Sequence, residues 1–263
     1  MPKPRVIVLR TAGSNCDGET KFAFELAGAK AELVHVNRLR DRSARLRDYE
    51  ILAIPGGFTY GDDIAAGRVL ANEMTSALAE ELGEFVEAGK LVIGICNGFQ
   101  VMVKTGLLPD ARVSAAHCPT TLAPNDSGKF EDRWVHLAPG KSKCVFTEGI
   151  KRIYLPIAHG EGKFLANKPS VLKALEKGGQ VAFRYVDPKG KSAGYPWNPN
   201  GSSADIAGIA DPSGRLLGMM PHPERHIFGY QHPRWTRGGK LPKYGDGFLL
   251  FKNGVDFARR NLC

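Results

Sequence analysis

A cysteine set between two glycines, in Gly94-Ile95-Cys96-Asn97-Gly98, carries the most chemistry in this chain. It follows the apolar run Leu91–Ile95 and precedes the helical run Phe99–Thr105, the setting of a nucleophile elbow. So sharp a turn leaves no room for side chains at its flanks. It also lifts the thiol to the carboxyl edge of a sheet, where open α/β folds bind ligands, and a helix N-terminus there favours thiolate over thiol. A second segment, Gly218-Met219-Met220-Pro221-His222-Pro223-Glu224-Arg225, supplies partners. In extended backbone, residues i and i+2 point the same way. Glu224 then reaches one imidazole nitrogen of His222 while the other faces a thiol. Nucleophile, base and orienting carboxylate make a triad in the chain order Cys96, His222, Glu224.

A third segment, Pro55-Gly56-Gly57-Phe58-Thr59-Tyr60-Gly61-Asp62, follows the short run Ile51–Ile54. Adjacent glycines let backbone N–H groups turn toward a ligand, as an oxyanion hole requires. The donors predicted are the N–H groups of Gly57 and Asn97. No Gly-Lys-Ser/Thr follows, so the segment is not a phosphate loop. Gly56, Phe58, Tyr60 and Gln100 are the nearby candidates for substrate binding, and His159 and Glu161 line either the substrate pocket or a partner face. His222-x-Glu224-x-His226 has ligand-type residues, but no further ligands accompany it and no metal is expected.

Alternating strand and helix patterns must position these segments. Arg5–Leu9, Ala31–Val36, Ile51–Ile54 and Leu91–Ile95 read as buried strands. Gly18–Ala27 and Val69–Ala88 read as helices, the second a single long one with Leu70, Met74, Leu78, Leu82 and Phe85 at three-to-four spacing. In the first, Phe22, Phe24 and Leu26 are available for packing. That alternation predicts an α/β fold: an open, mostly parallel twisted sheet with helices on both faces. Beyond residue 110 come short strands at Arg133–Leu137, Ile153–Ile157, Gln180–Val186, Ala204–Ala210 and Leu216–Met220, which predict antiparallel additions. Residues 223–246 read as a long loop and Gly247–Arg260 as a C-terminal helix. One domain over 1–263 is expected.

Composition narrows the class. Of 263 residues, 43% are hydrophobic and 24% charged, ordinary for a soluble globular protein. No apolar run nears the roughly 20 residues of a membrane span, and the N-terminus lacks a secretory pattern, so a cytoplasmic protein is expected. Five cysteines without a C-x-x-C pair suit reduced thiols rather than a disulfide framework. The net charge of +9 is concentrated at Arg38, Arg40, Arg42, Arg45 and Arg47, and at Arg225, Arg234, Arg237, Lys240 and Lys243. Without aromatic platforms or nucleic-acid motifs, these stretches read as a solvated face or a dock for an acidic partner, and no nucleic acid is expected.

Together the three segments resemble the triad-type (class I) glutamine amidotransferases. The likeness narrows to one branch, the glutaminase subunits of phosphoribosylformylglycinamidine synthase, on Gly-Gly-Phe-Thr-Tyr-Gly-Asp at 56–62, Gly-Ile-Cys-Asn-Gly-Phe-Gln at 94–100, Ala-His-Gly-Glu-Gly-Lys-Phe at 158–164, Asn-Pro-Asn-Gly-Ser at 198–202 and Met-Pro-His-Pro-Glu-Arg at 220–225. The motifs run in matching order from Arg5 to the C-terminal helix; the segment 226–246 is longer than the resemblance leads one to expect. The resemblance implies a flavodoxin-like fold, with Cys96 as nucleophile, His222 as acid/base and Glu224 as its orienting carboxylate. It implies hydrolysis of glutamine to glutamate and ammonia through a Cys96 thioester. The ammonia passes to a large synthetase subunit that uses ATP and Mg²⁺ to make phosphoribosylformylglycinamidine in purine biosynthesis, a small third subunit often completing the complex. No cofactor is implied for this chain, which has no ATP motif.

Two rival functions share some of these features. A cysteine-triad hydrolase of the same architecture, acting on another amide or ester, would keep the elbow and triad but would not be expected to carry the 158–164 and 198–202 segments. A non-catalytic binding subunit would keep the fold alone, and the presence of all three triad residue types argues against it.

Overall fold

The computed structural model describes residues 2–114, 118–237, 239 and 241–263; Lys240 of the second basic stretch lies outside them. In chain order the elements are β1 (Arg5–Arg10), α1 (Asp17–Leu26), β2 (Lys30–His35), α2 (Val36–Arg40), β3 (Ile51–Ile54), α3 (Arg68–Ala77), α4 (Ala79–Glu87), β4 (Leu91–Ile95), α5 (Asn97–Lys104) and α6 (Leu107–Asp110). Then follow β5 (Thr120–Pro124), β6 (Glu131–Pro139), β7 (Ile153–His159), β8 (Glu161–Ala166), α7 (Pro169–Lys177), β9 (Val181–Val186), β10 (Ile206–Ala210), β11 (Leu216–Met219) and α8 (Phe248–Asn261).

Among the described residues, nine strands form one sheet in the order β2-β1-β3-β4-β11-β10-β9-β6-β7, and β5 pairs with β8 in a separate ribbon. β2, β1, β3, β4 and β11 run parallel to one another. From β11 outward to β7 every pairing is antiparallel. β1, β3 and β4 are apolar and almost wholly buried, as strands covered on both faces must be. The crossover from β1 to β2 runs one way along the sheet and that from β3 to β4 the other. Right-handed connections therefore place α1 and α3–α4 on opposite faces. α1 packs on α8, where Phe24 and Phe251 meet edge to face at 5.0 Å; α3 packs on α5.

The structure departs from expectation in several places. Val69–Ala88 is two helices, α3 and α4, broken at Leu78, whose φ of −123° leaves the helical region. In the turn before the break, Thr75 and Ser76 donate their hydroxyls to the carbonyls of Ala71, Asn72 and Glu73. Such back-bonding competes with the helix ladder, and the break still leaves Leu78 and Leu82 buried. Phe22 is half exposed, unlike Phe24. α7 lies where the sequence pattern predicts no helix, although Pro169 at its start and Gly178 after its end are ordinary helix punctuation. The 223–246 segment folds over itself, with short 3-10 turns and an isolated bridge between Phe228 and Tyr244. In the first basic stretch, Arg38 pairs with Glu32 and Arg40 with Glu73, while Arg42, Arg45 and Arg47 line a crevice with Glu80, Glu81 and Glu84 of α4.

Candidate active site

β3, β4 and β11 are neighbours and run in the same direction, so their carboxyl ends open at one edge of the sheet. That edge receives the three chemistry-bearing segments side by side. The Cys96 N–H donates to the Met219 carbonyl at 2.8 Å, which ties the elbow after β4 to the strand that leads into His222.

The elbow is strained and its glycines are obligatory. Cys96 has φ +52° and ψ −106°, a conformation that costs a non-glycine residue about 1–3 kcal/mol. A Cβ at Gly98 would lie 1.9 Å from the Ile54 carbonyl oxygen, and one at Gly94 would lie 2.7 Å from that of Gly98. Helix α5 thus sits too close to β3 and β4 for any side chain at either position. As the first helical residue, Asn97 leaves its N–H without an intrahelical acceptor. Gly56 and Gly57 are needed for different reasons. A Cβ at Gly56 would lie 2.8 Å from His222 Cε1, whereas Gly57, at φ +147°, packs against Gly13 and Asn15.

His222 and Glu224 are both buried, with Nδ1 2.6 Å from Glu224 Oε1. His222 Nε2 is buried and has no hydrogen-bond partner among the described residues. Burial alone pulls the imidazole down, but Glu224, then the Cys96 thiol and the nearby Cys16, outweigh it and hold the ring well above its ordinary value. The Cys96 thiol itself faces the Ala158 carbonyl at 3.7 Å.

Cys96 opens into a cavity of about 150 Å³. Of the candidates read from sequence, Gly57, Phe58, Gln100, His159 and Glu161 line it. Gly56 instead packs under the His222 ring, and Tyr60 turns away to donate its hydroxyl to Glu73. Gln100 serves as a clamp as well: it accepts from Asn97 and donates to the Glu161 carbonyl. His159 is buried, its Nδ1 3.1 Å from Asn125 Oδ1. Desolvation, reinforced by His222, pushes its imidazole down to about 3, so it lines the cavity as a neutral ring.

Several participants escaped the sequence reading. Asp62, Phe130 and Ala158 also line the cavity. Thr59 and Asp62 hold the Asn97 side chain: Asn97 Oδ1 accepts from Thr59 Oγ1 at 2.7 Å, and Nδ2 donates to Asp62 at 2.9 Å. Thr59 and Asp62 stood inside a segment already singled out, whereas nothing in the sequence marks Phe130. The Asn-Pro-Asn-Gly-Ser segment buttresses the cavity wall from behind, because Asn200 donates to the Gly162 carbonyl and Ser202 Oγ accepts from the Phe164 N–H. His226 turns to a different partner, its Nδ1–H donating to the Tyr154 carbonyl at 2.8 Å. The alternating His222, Glu224 and His226 therefore do not converge.

Fold and site together suit a glutamine amidotransferase. Residues 3–258 match the CobB/CobQ-like glutamine amidotransferase domain, and the chain belongs to that family. More particularly, it is 52% identical to phosphoribosylformylglycinamidine synthase subunit PurQ of Dehalococcoides mccartyi, over 99% of this chain and 100% of the relative. It is 41% identical to the subunit of the same name from Archaeoglobus fulgidus, over 97% of each. Among solved structures it resembles a chain of PurLQS from Thermotoga maritima, with 33% identity, a TM-score of 0.74, and coverage of 97% of this chain and 99% of that one. The full-length match to the Dehalococcoides relative spans 262 residues, so the long 226–246 segment does not set this chain apart.

Proposed function

We propose that this chain is the glutaminase subunit of a phosphoribosylformylglycinamidine synthase. One observation carries the chemistry: a cysteine at a strained elbow opens on a small cavity, beside a buried imidazole that a buried carboxylate holds at 2.6 Å. The end-to-end likeness to PurQ subunits supports the pathway.

His222 takes the thiol proton as Cys96 Sγ attacks the side-chain carbonyl carbon of glutamine. The resulting oxyanion is received by the N–H groups of Gly57 and Asn97. As the C–N bond breaks, His222 returns the proton to the departing nitrogen and ammonia leaves, with a γ-glutamyl thioester on Cys96. His222 then takes a proton from water, which attacks the thioester. Collapse releases glutamate and restores the thiol. Glu224 keeps the imidazole oriented and compensates its charge throughout. Glu161 and Gln100, which line the cavity, are the contacts proposed for the polar ends of a bound amino acid.

The ammonia is passed to a large synthetase subunit, which with ATP and Mg²⁺ converts phosphoribosylformylglycinamide to its amidine; a small third subunit completes the assembly. This chain contributes no cofactor, and it works in the cytoplasm, a setting that its five unpaired cysteines suit. No helix among the described residues is long and apolar enough to cross a membrane.

The test uses the assembled complex. Cys96→Ala is expected to abolish glutamine-dependent amidine formation while ammonia-dependent formation persists. A variant that still hydrolyses glutamine at the native rate overturns the reading.

A further inference from the structure

A second thiol lies against the proposed triad and takes no part in the chemistry described above. Cys16 precedes α1 in the loop after β1, the strand next to β3, so it reaches the same sheet edge as the three site segments. It is 1% exposed. Its N–H donates to the Gly56 carbonyl at 3.1 Å, and its carbonyl accepts from the N–H and the hydroxyl of Thr20, so its backbone is fixed from both sides. A Cβ at Gly56 would lie 2.8 Å from His222 Cε1 and 3.4 Å from Cys16 Sγ, which shows how closely thiol and ring share that space. Ligand-type atoms of Cys16, His222 and Glu224 all fall within 4.8 Å of one another, the one such group of three among the described residues.

A Cys-His-Glu cluster suggests a metal, but a cation already sits there. Arg225 Nη2 donates to Cys16 Sγ at 3.0 Å, and Arg225 Nε reaches Glu19 at the surface. A divalent ion would have to displace a guanidinium from the sulfur it needs. The arrangement fits a brace better than a ligand set: Arg225 fixes the thiol, and the thiol backs the imidazole. We propose that Cys16, held by Arg225, is a positioning residue that keeps the His222 ring turned between Glu224 and Cys96.

Among the described residues, the groups that face His222 are few. Glu224 lies on its own segment, Cys96 on the elbow, Cys16 on the β1–α1 loop and His159 at the end of β7, with Arg225 behind Cys16 and coupled to Glu224. Glu224 and the two thiols favour the charged ring, and His159 stays neutral. Loss of the Cys16 thiol therefore removes one of three favourable contacts and loosens the ring. The cavity is not lined by Cys16, so glutamine binding should not feel the change.

This inference rests on the glutaminase reading for its kinetic consequence but not for its physical test. In the full chain with isotope-labelled histidine, the His222 ring is titrated by NMR in the native protein, Cys16→Ala, Cys16→Ser and Cys16→Val. The alanine and valine variants should lower the His222 midpoint by about one pH unit, and serine should restore most of it. In the assembled complex, kcat for glutamine should fall about tenfold in alanine and valine, with KM unchanged within about twofold. Valine fills the thiol's space, so it serves if the alanine variant does not fold. An unmoved midpoint, or a KM that rises while the midpoint stays, overturns the role of Cys16. The titration needs no turnover, so a protein that fails to hydrolyse glutamine but shows the shift would sink the glutaminase reading and leave Cys16 in place.

Discussion

Asn97 Oδ1 accepts the hydroxyl of Thr59 at 2.7 Å, joining the residue after the nucleophile to the loop that follows a different strand. The same side chain donates to Asp62 and to Gln100. One amide thus holds both proposed oxyanion donors in a common frame, since Gly57 begins the loop that Thr59 and Asp62 continue. Transition-state donors act only when fixed in advance, and this clamp is what fixes them.

Asn97→Ala removes the clamp while leaving the backbone N–H. Glutamine-dependent kcat should fall about 10- to 100-fold, below the 10²–10³ typical of deleting a donor outright. Steady-state assay of the complex, with ammonia as the alternative substrate, separates this loss from damage to the synthetase. Thr59→Val should reproduce a weaker version of the effect.

Glu224→Gln keeps a hydrogen-bonding group beside His222 but removes the negative charge. The carboxylate is the largest influence holding the imidazole above its ordinary value against burial, so the ring's titration must move down. Glutaminase kcat should drop about 10³- to 10⁴-fold, as when an orienting carboxylate is neutralised in a hydrolytic triad. A variant within tenfold of the native rate would remove Glu224 from the mechanism.

Gly56→Ala places a methyl group 2.8 Å from His222 Cε1. The ring must move, because the nearest obstruction is the catalytic side chain and not backbone. Overpacking of this kind costs about 1–3 kcal/mol, so the protein should still fold with a lowered Tm. Its glutaminase activity should nonetheless be lost almost entirely. Activity within a factor of two of native would show that the ring has slack.

His159 gives a pH dependence with a definite sign. Its folded imidazole is pushed down to about 3 by burial and then by His222, against about 6.5 when unfolded. Between those values the unfolded chain binds the proton and the folded chain does not. Stability is therefore fully present above about 6.5 and declines as pH falls toward 3, by up to about 1.4 kcal/mol per unit. Urea unfolding at pH 7.5, 6 and 5 should show the decline, and His159→Gln should flatten it.

Much of this arrangement is legible in the residues because the chemistry is local. Cys96 between its glycines follows an apolar strand, and His222 and Glu224 sit two apart in extended chain; both geometries follow from short-range rules. The parallel strands could be read because each is a continuous buried run. What escaped was set by contacts that no short pattern announces. The break at Leu78 depends on hydroxyls a turn earlier finding helix carbonyls, and the wide apolar stripe hid it. Tyr60 was misplaced because its direction is set by Glu73 on α3. Cys16 carries no motif of its own and gains meaning only from β1 lying next to β3.

The placement of β11 has a consequence for biosynthesis. That strand, from the last quarter of the chain, is inserted between β4 and β10 and delivers His222 beside a cysteine made more than a hundred residues earlier. A ribosome-bound chain that has not yet emerged past residue 222 holds the elbow but no base, and the middle of its sheet is unfilled. In such a chain the proposed nucleophile lacks the proposed base, so the triad can form only once β11 has taken its place.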